Sequence, residues 1–172
     1  RLAERHFLQN SLLRALLNGG CLDLIEGEVE AARRKLLYAD ELAEEYRLTR
    51  RLWRVRANLA TLYEVRGELV ASTNADEGAV AMVLPLLAPY RRTPKGGLRL
   101  LTREALALAN VALRAEESPR HERILAGLDG PLQATARRIA EKVRAGRLGQ
   151  LQSLLGNHCK IIGTRRRFII TE

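Results

Sequence analysis

Apolar residues recur at spacings of three and four from the start of the chain to about position 155, the period of amphipathic helices packed on one another. Leu2, Phe7, Leu8, Leu12, Leu13, Leu16 and Leu17 outline a first helix, and Asn18-Gly19-Gly20 is its expected stop. Ile25, Val29, Ala32, Leu36, Ala39, Leu42 and Ala43 mark one face of a long second helix from about Leu22 to Tyr46. Thr49 is the expected N-cap of a third, whose stripe of Leu52, Val55, Leu59, Leu62 and Tyr63 runs toward Gly67. A fourth starts after Thr73-Asn74 and loses its pattern around Pro85 and Pro89.

Tyr90 to Gly97 combines proline, glycine and charge and reads as a surface loop. Helical spacing returns from Leu98 to Glu117 through Leu101, Ala105, Leu108, Ala112 and Leu113. Ser118-Pro119 and Gly130-Pro131 restart helices, and the basic stretch from Leu132 to Leu155 is interrupted at Gly146 and Gly149. Two short β-branched runs, Cys159 to Ile162 and Arg167 to Thr171, then flank Gly163-Thr164 and read as a β-hairpin. Such a hairpin is marginal alone, so it is expected to pack on the helices, to join a sheet in a continuation of the chain, or to pair with a partner. The expected fold is mainly α: antiparallel helical hairpins stacked as a short solenoid or bundle over residues 1–155, with a sub-boundary at 91–97. Residues 156–172 form the hairpin or the start of a continuation.

Self-similarity adds a more specific signal. Gly27, Ala32, Leu36 and Ala39 close one helical pair, and the next helix carries Asn58-Leu59-Ala60, Tyr63 and Gly67. This order of small and large residues resembles a tetratricopeptide repeat over about residues 22–72. The 40 residues from Gly27 to Gly67 match the longer variety found in bacterial signal-transduction ATPases and in regulators similar to the maltose activator. Past Gly67 the small–large–small order falls on Ser72, Asp76 and Ala79, where Asp76 departs from it, and Ala109-Asn110-Val111-Ala112 echoes Ala57-Asn58-Leu59-Ala60 52 residues on. The resemblance implies a right-handed stack with a concave groove, in which Asn58 and the matching Asn110 hold the backbone or terminal carboxylate of a peptide.

Composition narrows the class. At 172 residues and 47% hydrophobic the chain has the apolar material of one ordinary domain. No apolar run reaches the roughly 18 residues that cross a bilayer, and no leader-like segment opens the chain, so it reads as soluble and unsecreted. Arg1 in place of an initiating Met reads as a fragment of something longer. Cys21 and Cys159 stand far apart, and His158-Cys159 on an extended segment would point to opposite faces. Neither a disulfide framework nor a zinc set results, so no metal or cofactor is expected, and a cytoplasmic or other reducing compartment is.

Charge is distributed unevenly. Up to position 78 there are 12 basic and 13 acidic residues; beyond it there are 17 and 7, a net of +10 that exceeds the whole chain's +9. Three basic constellations carry the excess: Arg91, Arg92, Lys95, Arg99 and Arg103; Arg137, Arg138, Lys142 and Arg144; and Arg165, Arg166 and Arg167. Guanidinium groups so placed suit the paired oxygens of an anionic partner, although 25 arginines among 29 basic residues is also what GC-rich codon usage writes. Trp53 stands among Arg50, Arg51, Arg54 and Arg56, where it can anchor helix packing or stack with an arginine. No phosphate-binding glycine loop, nucleophile elbow or zinc-protease motif is present, so no catalytic residue is assigned. The sequence reads as a non-catalytic scaffold that binds a protein partner through a groove and meets an anionic surface through its basic half; the alternative is an RNA- or DNA-binding component of a larger complex.

Overall fold

The computed structural model describes residues 2–88, 103–147, 159–162 and 166–172. The protein is mainly α. Helices α1 (Leu2–Glu26), α2 (Val29–Glu45), α3 (Thr49–Val65), α4 (Leu69–Leu87), α5 (Arg103–Ala115), α6 (Pro119–Ala126) and α7 (Gly130–Arg144) precede an antiparallel hairpin of β1 (Cys159–Ile162) and β2 (Arg167–Ile170). The chain divides into two compact units, Arg1–Ala79 with Thr171–Glu172, and Val80–Ile170. The loop expected at 91–97, the Gly149 break and the Gly163-Thr164 turn lie outside the described residues.

In the first unit α1 packs on α2 and α2 on α3, and α1 also reaches α3. One device makes the reversals. Gly27, Arg47 and Gly67 each adopt a left-handed backbone, with φ of 83°, 52° and 76°. Their N–H groups donate three residues back, to the carbonyls of Leu24, Glu44 and Glu64. The following residues, Glu28, Leu48 and Glu68, donate five back to Asp23, Ala43 and Tyr63, each at 2.8 Å. Carbonyls otherwise orphaned at each helix end are thereby satisfied. The spacing of Gly27 and Gly67 is thus a spacing of turns, with Arg47 midway; the structure shows helical hairpins and does not show a tetratricopeptide repeat.

Four expected boundaries move. Gly19-Gly20 does not end α1, which continues to Glu26, so α2 begins at Val29 and not near Leu22. A Cβ on Gly20 would come within 2.8 Å of Leu36 Cγ; the glycine is there to let α1 and α2 approach. Helix α4 begins at Leu69, before Thr73-Asn74, because the Gly67 turn restarts the helix at once. Ser72 Oγ donates to the Ala60 carbonyl on α3 and Thr73 Oγ1 to that of Leu69, both at 2.8 Å, so hydroxyls that resemble a start signal are satisfied within the fold. Ser72, Asp76 and Ala79 are all buried. Thr49 is the first residue of α3 and not its cap; Leu48 stands at the cap with no side-chain hydrogen bond.

The second unit is built around α5, in which every residue from Ala105 to Arg114 is buried. α6, α7 and β2 pack on it. Ser118 caps α6 as expected, accepting the His121 N–H, whereas α7 is capped by Asp129, whose carboxylate accepts the Leu132 N–H at 3.0 Å. Gly146, with φ of 72°, closes α7 by the same hydrogen-bond pattern as the first unit's turns. Cys159 pairs with Ile170 and Ile162 with Arg167, and all four β2 residues are buried.

The two neighbouring glycines of α1 separate packing from propensity. Gly19→Ala would meet only the flexible Lys35 side chain and keeps the roughly 0.5–1 kcal/mol that alanine gains in a helix. Gly20→Ala forces Leu36 aside and costs about 1–3 kcal/mol by overpacking. Thermal or urea unfolding should rank Gly19→Ala at or above the parent and Gly20→Ala below it; equal stability of the two variants would refute the close-approach role.

Candidate functional site

The two asparagines expected in a groove lie in the interior. Asn58 is fully buried on α3, with its amide N–H donating to Cys21 Sγ at 3.3 Å. Asn110, on α5, donates to the Phe168 carbonyl at 2.8 Å and accepts the Phe168 N–H at 2.9 Å. Its amide does hold a peptide backbone, but that of the chain's own β2. A helical stripe marks such positions as seam-facing, and it does not distinguish a groove from a core.

The basic constellations fall only in part within the described residues. Arg91, Arg92, Lys95, Arg99 and Arg165 lie outside them. Arg103 opens α5, half-buried. On α7, Arg137 pairs with Glu122 at 2.7 Å and Arg144 with Glu116 at 2.8 Å, while Arg138 is exposed and Lys142 half-buried. Arg166 donates to the Val143 and Arg144 carbonyls at 2.9 and 3.5 Å, closing the C-terminal end of α7, and Arg167 is buried in β2. The third constellation's described members therefore serve the fold.

Among the described residues, the first unit carries a groove and a cleft. A groove of about 320 Å³ runs between α2, α3 and α4. Leu37, Leu59, Tyr63, Ala71 and Ala75 give it apolar walls, and Asp40, Arg56 and Asn74 a polar rim. Arg56 is held in place by Asp40 at 3.1 Å and by Glu44.

The second is a cleft of about 540 Å³ at the α2–α3 turn, lined by Arg47, Arg50, Arg51 and Arg54 together with Asn10 and Glu172. Arg51 Nε donates to both Glu172 carboxylate oxygens at 2.7 and 2.5 Å, and Arg54 Nη1 lies 3.7 Å from one of them. The Glu172 N–H donates to Asn18 Oδ1 at 3.0 Å. Beneath the cleft the Arg54 guanidinium stacks 5.3 Å from the ring centroid of Trp53, which is fully buried, so this tryptophan is both packing anchor and cation-π partner. Burial opposes ionisation of the Glu172 carboxyl, and the Arg51 hydrogen bond with the charges of Arg51, Arg54 and Arg14 outweighs it, holding the group below the usual carboxylate range. Net charge over the first 78 residues hides this cleft. Its signal is local: five arginines between Arg47 and Arg56, with no acidic residue from Tyr46 to Tyr63.

Among the described residues no group of three or more His, Cys, Asp or Glu is placed to hold a metal ion, and no helix is long and apolar enough to cross a membrane. No family model matches the chain, and neither a curated protein nor a solved structure matches it.

Two measurements check this geometry. Asn110→Ala leaves the buried Phe168 N–H and carbonyl without their partner, at about 1–3 kcal/mol for each group; urea unfolding should show the loss, and hydrogen exchange should quicken at the Phe168 amide. Because the folded-state pKa of Glu172 is depressed, its ion pair contributes stability above the ordinary carboxylate range and loses it as pH falls through that lowered value. An NMR titration of the Glu172 side-chain carboxyl should therefore give a midpoint below that of a free glutamate, and Arg51→Ala should raise it.

Proposed function

We propose that the protein is a non-catalytic interaction domain that holds a segment of a partner protein in the groove between α2, α3 and α4. The observation that carries this reading is the groove's mixed lining, in which Tyr63, Leu37 and Leu59 offer apolar surface beside an arginine already immobilised by Asp40 and Glu44. Its volume stands at the lower end of the roughly 300–1,000 Å³ of small-molecule sites, which suits an anchoring side chain and the peptide around it. Asn74, exposed at the rim, supplies a donor and an acceptor for the backbone of that peptide. On the second unit, Arg138 and Lys142 stand one turn apart on α7 and suit contact with an anionic surface.

Selection from a random peptide library on the full chain tests the groove. Ligands with an apolar anchor should be enriched, and Ala75→Trp, which fills the groove, should weaken them by about ten-fold or more, or some 1.4 kcal/mol, without lowering the unfolding temperature. Selected peptides that bind the tryptophan variant as tightly as the parent, or a selection that enriches none, would overturn the reading.

A further inference from the structure

We propose that the arginine cleft at the α2–α3 turn is a second binding site, built for the carboxylates of an acidic protein segment, and that Glu172 occupies it from within the chain. The occupant is on view: a carboxylate with both oxygens on Arg51 Nε and with Arg54 beside it. Four guanidiniums line the cleft of about 540 Å³ around this side-chain carboxylate. The exposed Arg47 and Arg50 border that space. The cleft also lies where α3 begins, at Thr49 and Arg50, so the helix dipole adds to the positive potential.

The α2–α3 turn itself brings Arg47 to the cleft. Gly27 and Gly67 fill the equivalent left-handed position of the neighbouring turns, where a Cβ is disfavoured. At the α2–α3 turn a large side chain takes that position at φ 52°, and it lines the cleft.

The geometry favours an acidic protein segment over nucleic acid. The group held is a carboxylate, and the one tryptophan at the site is fully buried under Arg54, so it offers no face on which a base could stack. Glu172 acts as a competitor that an incoming acidic segment displaces from Arg51 and Arg54.

The experiment measures binding of fluorescein-labelled hexaglutamate to the full chain by anisotropy at low salt, with a single-stranded oligoribonucleotide of equal charge as the second probe. Arg47→Gly keeps the turn in the form its neighbours use, and Arg50→Ala removes an exposed side chain, so both should unfold at or above the parent's temperature. Each should weaken hexaglutamate by about three- to ten-fold, the effect of one charge-assisted contact. Glu172→Gln should strengthen it by a similar factor, roughly three- to ten-fold, by removing the internal competitor. Ala75→Trp, in the groove between α2, α3 and α4, should leave it unchanged, so that failure of the groove and failure of the cleft are read separately. Affinity indifferent to Arg47 and Arg50, or Glu172→Gln that binds no tighter, would overturn the proposal. Tighter Arg47-dependent binding of the oligoribonucleotide than of hexaglutamate would overturn the assignment to an acidic protein segment.

Discussion

A residue in the left-handed conformation at every twentieth position governs the first unit. Positions 27, 47 and 67 each turn the chain back by the same pair of hydrogen bonds, and with them the ends of α1, α2 and α3 are set. Helix ends buried without such closure would leave carbonyls unpaired, at a cost comparable to a lost hydrogen bond for each. The device also has a chemical consequence. Because α3 restarts two residues after Arg47, that side chain lines the same cleft as Arg50, Arg51 and Arg54, of which Arg54 stands four and three residues beyond the other two on α3. Like charges at that spacing repel, and the carboxylate of Glu172 offsets part of the repulsion.

The second unit depends on a different constraint. With every residue from Ala105 to Arg114 buried, α5 has no solvent face on which to place a polar side chain. Asn110 is satisfied there because its amide has the donor and acceptor of a peptide group and meets the backbone of Phe168. A two-stranded hairpin has little stability of its own, and each of its strands has one edge of backbone groups without a strand partner. The asparagine completes one residue of that edge from a helix, while Phe168, Ile169 and Ile170 bury their side chains. Arg166 fastens the start of the same strand to the last carbonyls of α7.

The helices and the hairpin were legible because burial has a period that sequence records: three and four residues for Leu36, Ala39, Leu42 and Ala43, and β-branched runs for Ile161-Ile162 and Ile169-Ile170. Gly67 and Ser118-Pro119 were legible as punctuation, since each carries its own backbone preference. Gly19-Gly20 and Thr73-Asn74 misled for a common reason. Glycine and small hydroxyl residues mark chain breaks when they face water, whereas Gly20 faces Leu36 and the Thr73 hydroxyl bonds to the Leu69 carbonyl of its own helix; the residue type is the same in both settings. The left-handed Arg47 had no such mark, because nothing in an arginine announces a positive φ.

What the sequence determined by itself is therefore what depends on neighbours along the chain: helical periodicity, most of the stops, the strand pair and the sign of local charge. What only the tertiary structure decided depends on distance through space. It turned Asn58 and Asn110 inward to Cys21 and Phe168, committed Arg166 to the end of α7, and brought Glu172, 121 residues away in sequence, onto Arg51. Hydrogen bonds and ion pairs act over a few ångströms and are indifferent to separation along the chain, so a residue's chemistry can be read from its letter and its partner cannot.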